Sequence, residues 1–205
     1  MLRLARSRVL VPLVLMLAVI GAALVYGLQL RRPGEASTEV RFVREMIQHH
    51  TQAVDLSLRV RERSDDRTVR TLALDILLSQ QEQIGQMRGW LTLWGRPWGG
   101  PGMSAEHART MGMATPAEVA ALDTLPPAQA DRHFLKLMIR HHDGALAMVE
   151  PALKGGVRPE VQALARQIQA TQAAEIKVMT DLLRARGAQP LPETAGDEAP
   201  AGHQH

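Results

Sequence analysis

The chain contains no cysteine, which removes disulfides and thiolate metal sites together. It also lacks the β-branched alternation of a half-buried sheet, so strands are not expected. No HExxH, no Gly-rich phosphate loop and no Ser-His-Asp context at workable spacing is present. Di-iron carboxylate bundles need Glu-x-x-His pairs. Here Met46 and Ile47 stand three residues before His49 and His50. The chain therefore reads as a binding protein rather than an enzyme.

A basic surface is missing as well, despite a formal net charge of +3. Residues 1–32 hold Arg3, Arg6, Arg8, Arg31 and Arg32 and no acid, which leaves 19 basic against 21 acidic residues in the rest. The folded part sits near −2, and nucleic acid is excluded as a partner.

What the sequence does have begins with Val9–Leu30, an uncharged apolar run interrupted by Pro12, a few Gly and Gln29. Its 22 residues match the roughly 20 that a helix needs to cross a hydrocarbon core. The arginines before it place the N-terminus inside and the remainder outside. No small-x-small site closes the run, so an uncleaved anchor over 1–32 is expected in preference to a removed signal peptide. The membrane is one expected partner, and the domain faces the periplasm or cell exterior. Without disulfides it has to be stable through its core, for which some 150 residues suffice.

The second positive feature is a repeat. Shifting the chain by 92 residues aligns 42–95 with 134–187 without gaps, and 15 of 54 positions are identical. Six fall in the first twelve: Phe42, Met46, Ile47, His49, His50 and Ala53 match Phe134, Met138, Ile139, His141, His142 and Ala145. Nine more, from Val69 and Val161 to Gly95 and Gly187, step by three and four, the spacing of one helix face. The silent stretch between the blocks holds the turns, Ser64-Asp65-Asp66 and Gly155-Gly156. Gly95 and Gly187 sit where helix C-cap glycines belong, each followed by a Pro. Each copy is thus expected to be an antiparallel helix pair, and two pairs make an all-α, ferritin-like four-helix bundle over 38–187. The connector 96–133 carries a capping box at Thr115-Pro116-Ala117-Glu118, so a short crossover helix is expected there, ending near Pro126-Pro127. The tail 188–205 is Pro, Gly and acid rich and is expected to be disordered. The Arg59–Arg70 stretch reads as a solvated helix end, and Trp90, Trp94 and Trp98 as packing for the bundle end.

The candidate site follows from the repeat. At about 100° per residue, His49 and His50 lie near −60° and +40° from Met46, with Ala53 between them one turn on. Thioethers favour Cu(I), and imidazole suits Cu, Zn, Fe and Ni. A Met and His set without Cys or clustered carboxylates points to a copper ion, Cu(I) in particular. The expected ligands are Met46, His49, His50, Met138, His141 and His142, with Met87 and Met179 as further sulfurs. Gln80 and Gln172, on the same apolar stripes, are expected to accept the free ring N–H of the liganding histidines. Met103, His107, Met111 and Met113 form an accessory set in the connector, and His203 and His205 end the tail. The competing reading makes the His pairs a structural polar layer of a membrane-tethered interaction module. Nothing in the sequence assigns an oligomeric state.

The stretches FVREMIQHHTQA (42–53), DRHFLKLMIRHHDGALAM (131–148) and QQEQIGQMRGWLTLWG (80–95) resemble the domain of unknown function 305 family. That resemblance covers 38–187 and implies an exported, ferritin-like bundle with links to copper. It also draws in Glu39 and Asp131, the acids three residues before each Phe. The family's second-helix Glu matches Glu175, which the resemblance adds to Gln80 and Gln172 as a residue expected behind the metal ligands, whereas Gln83 stands at the equivalent position of copy one.

Overall fold

The structure, a computed structural model, describes residues 2–30, 32–100 and 102–191. All seven described elements are α-helices. The chain divides into two compact units, 1–34 and 35–205. The first consists of α1 (Leu2–Leu30), in which the described side chains from Val11 to Leu24 include Val14, Leu15, Val19 and Leu24, all largely exposed. The membrane-spanning helix expected over 9–30 is not found: among the described residues no helix is long and apolar enough to cross a membrane. Of the tail, 192–205 lies outside the described residues, His203 and His205 included.

The second unit is built from two helical hairpins. In the first, α2 (Thr38–Arg63) starts at Ser37, whose hydroxyl accepts from the Val40 N–H at 3.3 Å. It ends at the Ser64-Asp65-Asp66 turn, where the Asp66 carboxylate caps α3 (Arg67–Leu93) through the Thr68 N–H at 2.8 Å. The second hairpin comprises α6 (Pro127–Leu153) and α7 (Pro159–Ala185), joined through Gly155 and Gly156, both at positive φ. Gly95 and Gly187 end α3 and α7 in left-handed conformations of 67° and 65°. The residue after each glycine returns its N–H to a carbonyl five residues back, Arg96 to Leu91 and Ala188 to Leu183.

Between the hairpins run α4 (Ala105–Thr110) and α5 (Pro116–Thr124). Thr115 and Glu118 form the expected capping box, with the Thr115 N–H donating to the Glu118 carboxylate at 2.7 Å. The connector is shorter than the repeat boundaries suggested. Pro126-Pro127 opens α6 instead of merely closing α5, because a proline ring fits the first helical position without losing a bond. The Arg-rich end of α2 is also less free than expected: Arg59 pairs with Asp55 and Asp123, and Arg63 donates to the Leu125 carbonyl at 2.9 Å. Trp94 is buried and stacks on Trp90, whereas Trp98 stays exposed.

Helix α2 packs on α3, α6 on α7, and α2 on α6. The α2–α6 contact is antiparallel, as the apolar clusters show. One cluster joins Val40–Ile47 of α2 to Ala145–Ala152 of α6, with the C-terminal half of α3 and the N-terminal half of α7. The other joins Ala53–Val60 to Phe134–Ile139, with the opposite halves of α3 and α7. The two histidine pairs lie between these clusters.

The acids before each Phe act across the hairpins. Glu39, at the start of α2, is buried and accepts from the Arg158 N–H, the N-cap of α7, which has no side-chain cap of its own. It does from a neighbouring helix what the glutamate of a capping box does from within one. Its counterpart Asp131, at the start of α6, faces the α2–α3 turn. Burial raises its carboxyl above the ordinary range, and a hydrogen bond from Ser64 opposes that shift. Glu39→Ala should therefore destabilise the protein by about 1–2 kcal/mol, the value of a lost cap. Urea unfolding followed by helical circular dichroism checks this; an unchanged midpoint would show that the contact contributes nothing.

Candidate metal centre

Helices α2 and α6 turn their Met-x-x-His-His faces toward each other. Met46, His49, His50, Met138, His141 and His142 are all completely buried. The His49 and His141 rings lie 3.6 Å apart between centroids, at the middle of the α2–α6 crossing. His50 and His142 stand outside them, each ring 6.3 Å from its neighbour in sequence.

The hydrogen bonds at the four rings fix their proton positions. His49 Nε2 lies 3.0 Å from the Met111 carbonyl and His141 Nε2 lies 3.1 Å from the His49 carbonyl. His50 Nε2 meets the Gln83 amide oxygen and His142 Nε2 the Glu175 carboxylate, both at 2.7 Å. All four partners are acceptors, so all four rings donate from Nε2. A neutral imidazole that donates from Nε2 carries its lone pair on Nδ1. Each of these four Nδ1 atoms is buried and meets no donor among the described residues.

Electrostatics keep three of the rings, His49, His50 and His141, neutral. Burial, helped by the neighbouring imidazoles, pushes His49 down to about 3. Burial lowers His50 to about 4 against the opposing bond to Gln83, and it takes His141 well below its ordinary value. At neutral pH these three are uncharged lone-pair donors.

Several sequence expectations need correction here. Gln80 and Gln172 are buried, but their amides have no hydrogen-bond partner among the described residues. The N–H acceptors are Gln83, which the reading of identical positions passed over, and Glu175. These two are equivalent under the 92-residue shift and lie on the same helix stripe, three residues past each Gln. Met46 and Met87 share one apolar cluster, Met138 and Met179 the other. The thioethers thus flank the histidine layer on both sides. Among the described residues no three His, Asp or Glu side chains are grouped so as to hold a metal ion.

The accessory set does not form one helical face. Ser104 caps α4, so Met103 precedes that helix and Met111 terminates it. His107 is partly exposed, with Nε2 3.8 Å from Glu45 Oε2. Met103 and Met111 pack partly buried against the first cluster, and Met113 offers its carbonyl to Arg140. What Met111 gives the centre is its backbone oxygen.

The connector is strapped across α2 and α6. Gln52 makes two bonds to the Ala114 backbone, at 2.9 and 2.6 Å, and Gln48 accepts from the Met103 N–H. Arg140 clamps Glu118 at 2.8 and 2.9 Å, which holds that carboxyl at about 2. Over α6 the approach is closer still: a Cβ on Gly144 would sit 1.8 Å from the Met111 carbonyl oxygen. Only glycine admits the connector at the depth where that oxygen reaches His49.

Residues 39–197 match the family described as a domain of unknown function, DUF305. The chain belongs to the DUF305 family. It is 57% identical to a DUF305 fragment from Deinococcus radiodurans, over 75% of this chain and 99% of that one, with a TM-score of 0.70. A DUF305 protein from Streptomyces coelicolor, described as secreted, is 38% identical over 79% of this chain and 100% of its own, with a TM-score of 0.73. CopM in its Cu(I)-bound form is 26% identical over 73% of this chain and 96% of CopM, with a TM-score of 0.60. CopM structures with Cu(II) and with Ag match similarly. No curated protein matches the chain.

The depressed histidines set a pH dependence. Their folded values, about 3 for His49 and about 4 for His50, lie below the ordinary 6.5, so between those limits the unfolded chain binds more protons. Stability is then complete above about pH 6.5 and falls on acidification, by up to roughly 1.4 kcal/mol per pH unit for each buried ring. Urea unfolding at pH 7.5, 6 and 5 reads this before the carboxylates titrate. A flat profile across that range would contradict buried neutral imidazoles.

Proposed function

We propose that this DUF305 protein binds soft metal, copper as Cu(I) foremost, for buffering, tolerance or delivery outside the cytoplasm. The observation that carries the reading is the set of four buried Nδ1 atoms that meet no partner among the described residues, flanked by Met46 and Met138. A buried acceptor left unsatisfied costs about 1–3 kcal/mol, and a cation that accepts the lone pairs removes that penalty. His49, His50, His141 and His142 would supply nitrogen and Met46 and Met138 sulfur, with Met87 and Met179 as further thioethers. A set of thioethers and imidazoles without thiolates or clustered carboxylates favours a soft ion over zinc or calcium. CopM, a similar chain, is known with Cu(I), Cu(II) and Ag.

Location supports the same reading. The Streptomyces relative described as secreted points outside the cytoplasm. In this reading residues 1–32 tether the domain to the membrane, on the strength of the uncharged run Val9–Leu30 and the three arginines before it.

The competing reading keeps the histidine layer as structure only, and the fully bonded Nε2 atoms favour it. Titrating the detergent-solubilised full chain with Cu(I) against a competing chelator separates the two. Replacing all four histidines with Ala should weaken binding at least about 100-fold, taking tenfold as the smallest usual effect of one site residue on metal affinity. Met46→Leu with Met138→Leu, a swap costing under about 1.5 kcal/mol per site, preserves the core and should lower Cu(I) affinity selectively. Unaltered Cu(I) affinity in the folded Met variant and in the histidine variant would overturn the metal reading.

A further inference from the structure

The two halves of the centre share one geometry and differ in charge. Under the 92-residue shift Gln83 falls on Glu175, and each accepts the Nε2 proton of its histidine at 2.7 Å. His50 and His142 are equally buried, and the Met and His residues around them are the same in kind. The inner rings both meet backbone carbonyls, Met111 for His49 and His49 for His141, so the difference in charge lies at the outer rings: an amide oxygen at His50 and a carboxylate at His142.

That difference matters for a cation. Metal bound at Nδ1 draws electron density from the ring and makes the Nε2 proton a stronger donor. A carboxylate accepts such a proton more strongly than an amide does. Carboxylate partners of liganding histidines commonly raise metal affinity 10- to 100-fold. Charge balance acts the same way: a cation at His50 joins a neutral buried set, whereas one at His142 is compensated by Glu175. The Glu175 side chain remains 16% exposed, so its charge keeps contact with water.

Resting on the metal-binding reading, we infer that the halves are unequal and that the His142 half binds the first ion, with Glu175 as its charge-balancing positioning residue. The first half, with Gln83, fills second.

Silver(I), a redox-silent soft cation, tests this on the detergent-solubilised full chain. Affinities are read by chelator competition, and imidazole 15N shifts report which ring responds. The His142 ring should shift before the His50 ring. Glu175→Gln should weaken the tighter step 10- to 100-fold, and Gln83→Glu should tighten the weaker step by a similar factor. The double exchange should reverse the filling order. Because Gln83→Glu adds a carboxylate, it carries the test even if Glu175→Gln fails to fold. If silver still shifts the histidines but Gln83→Glu leaves the weaker step and the filling order unchanged, the inequality is refuted and metal binding stands. If silver shifts no histidine in the unaltered protein, the metal reading itself fails.

Discussion

The arrangement of this protein depends on one constraint: four imidazoles buried at a helix crossing must each place an N–H against an oxygen. Each ring finds its acceptor in a different part of the chain: the connector at Met111, α3 at Gln83, the α2 backbone at His49 and α7 at Glu175. Leaving any one N–H unpaired would cost about 1–3 kcal/mol, more than the 0.5–1.5 kcal/mol a satisfied bond contributes. The penalty falls on misplacement, so the layer fixes register. It holds α2 against α6, sets α3 and α7 in height, and draws the connector down until its backbone touches α6.

The flanking features follow from that register. The apolar clusters fill the space on either side of the layer, each taking half of every long helix. The cross-hairpin contacts of Glu39 and Asp131 fasten the ends, each acid reaching the turn of the opposite hairpin. The duplication explains why these contacts come in pairs. It also shows where the pairing breaks, since Met111 takes at His49 the place a symmetric chain would give to the His141 carbonyl.

Much of this was legible in the sequence, because it rests on side-chain pattern. The helix turns, the capping box at Thr115 and the left-handed glycines at 95 and 187 are written in residues that favour few conformations. The inward face of Met46, His49 and His50 is legible from spacing. The acceptors were not. Met111 acts through its carbonyl, which every residue possesses, and Gln83 and Glu175 differ between the copies, so that the family resemblance, not the repeat, pointed to Glu175. Gln80 and Gln172 are identical between the copies and were given the acceptor role. In the fold they occupy the right stripe one turn too early. Gly144 had no sequence signal either, since its need arises only where a distant backbone crosses α6.

Burying every donor has a kinetic consequence. Were the proposed ion held by these wholly covered histidine and methionine side chains, it would exchange no faster than its surroundings open. The four long helices resist opening, since each contributes to both apolar clusters. The connector is held differently, by side-chain straps from Gln48, Gln52 and Arg140 and by short helices, and it lies over the layer with its own carbonyl bonded to His49. Releasing it breaks polar contacts that water can replace and uncovers few buried apolar side chains, Ala114 and Leu122, whereas parting the hairpins exposes both apolar clusters. The least costly opening is therefore on the connector side, where Met103 and Met111 already stand partly buried beside the cluster that holds Met46.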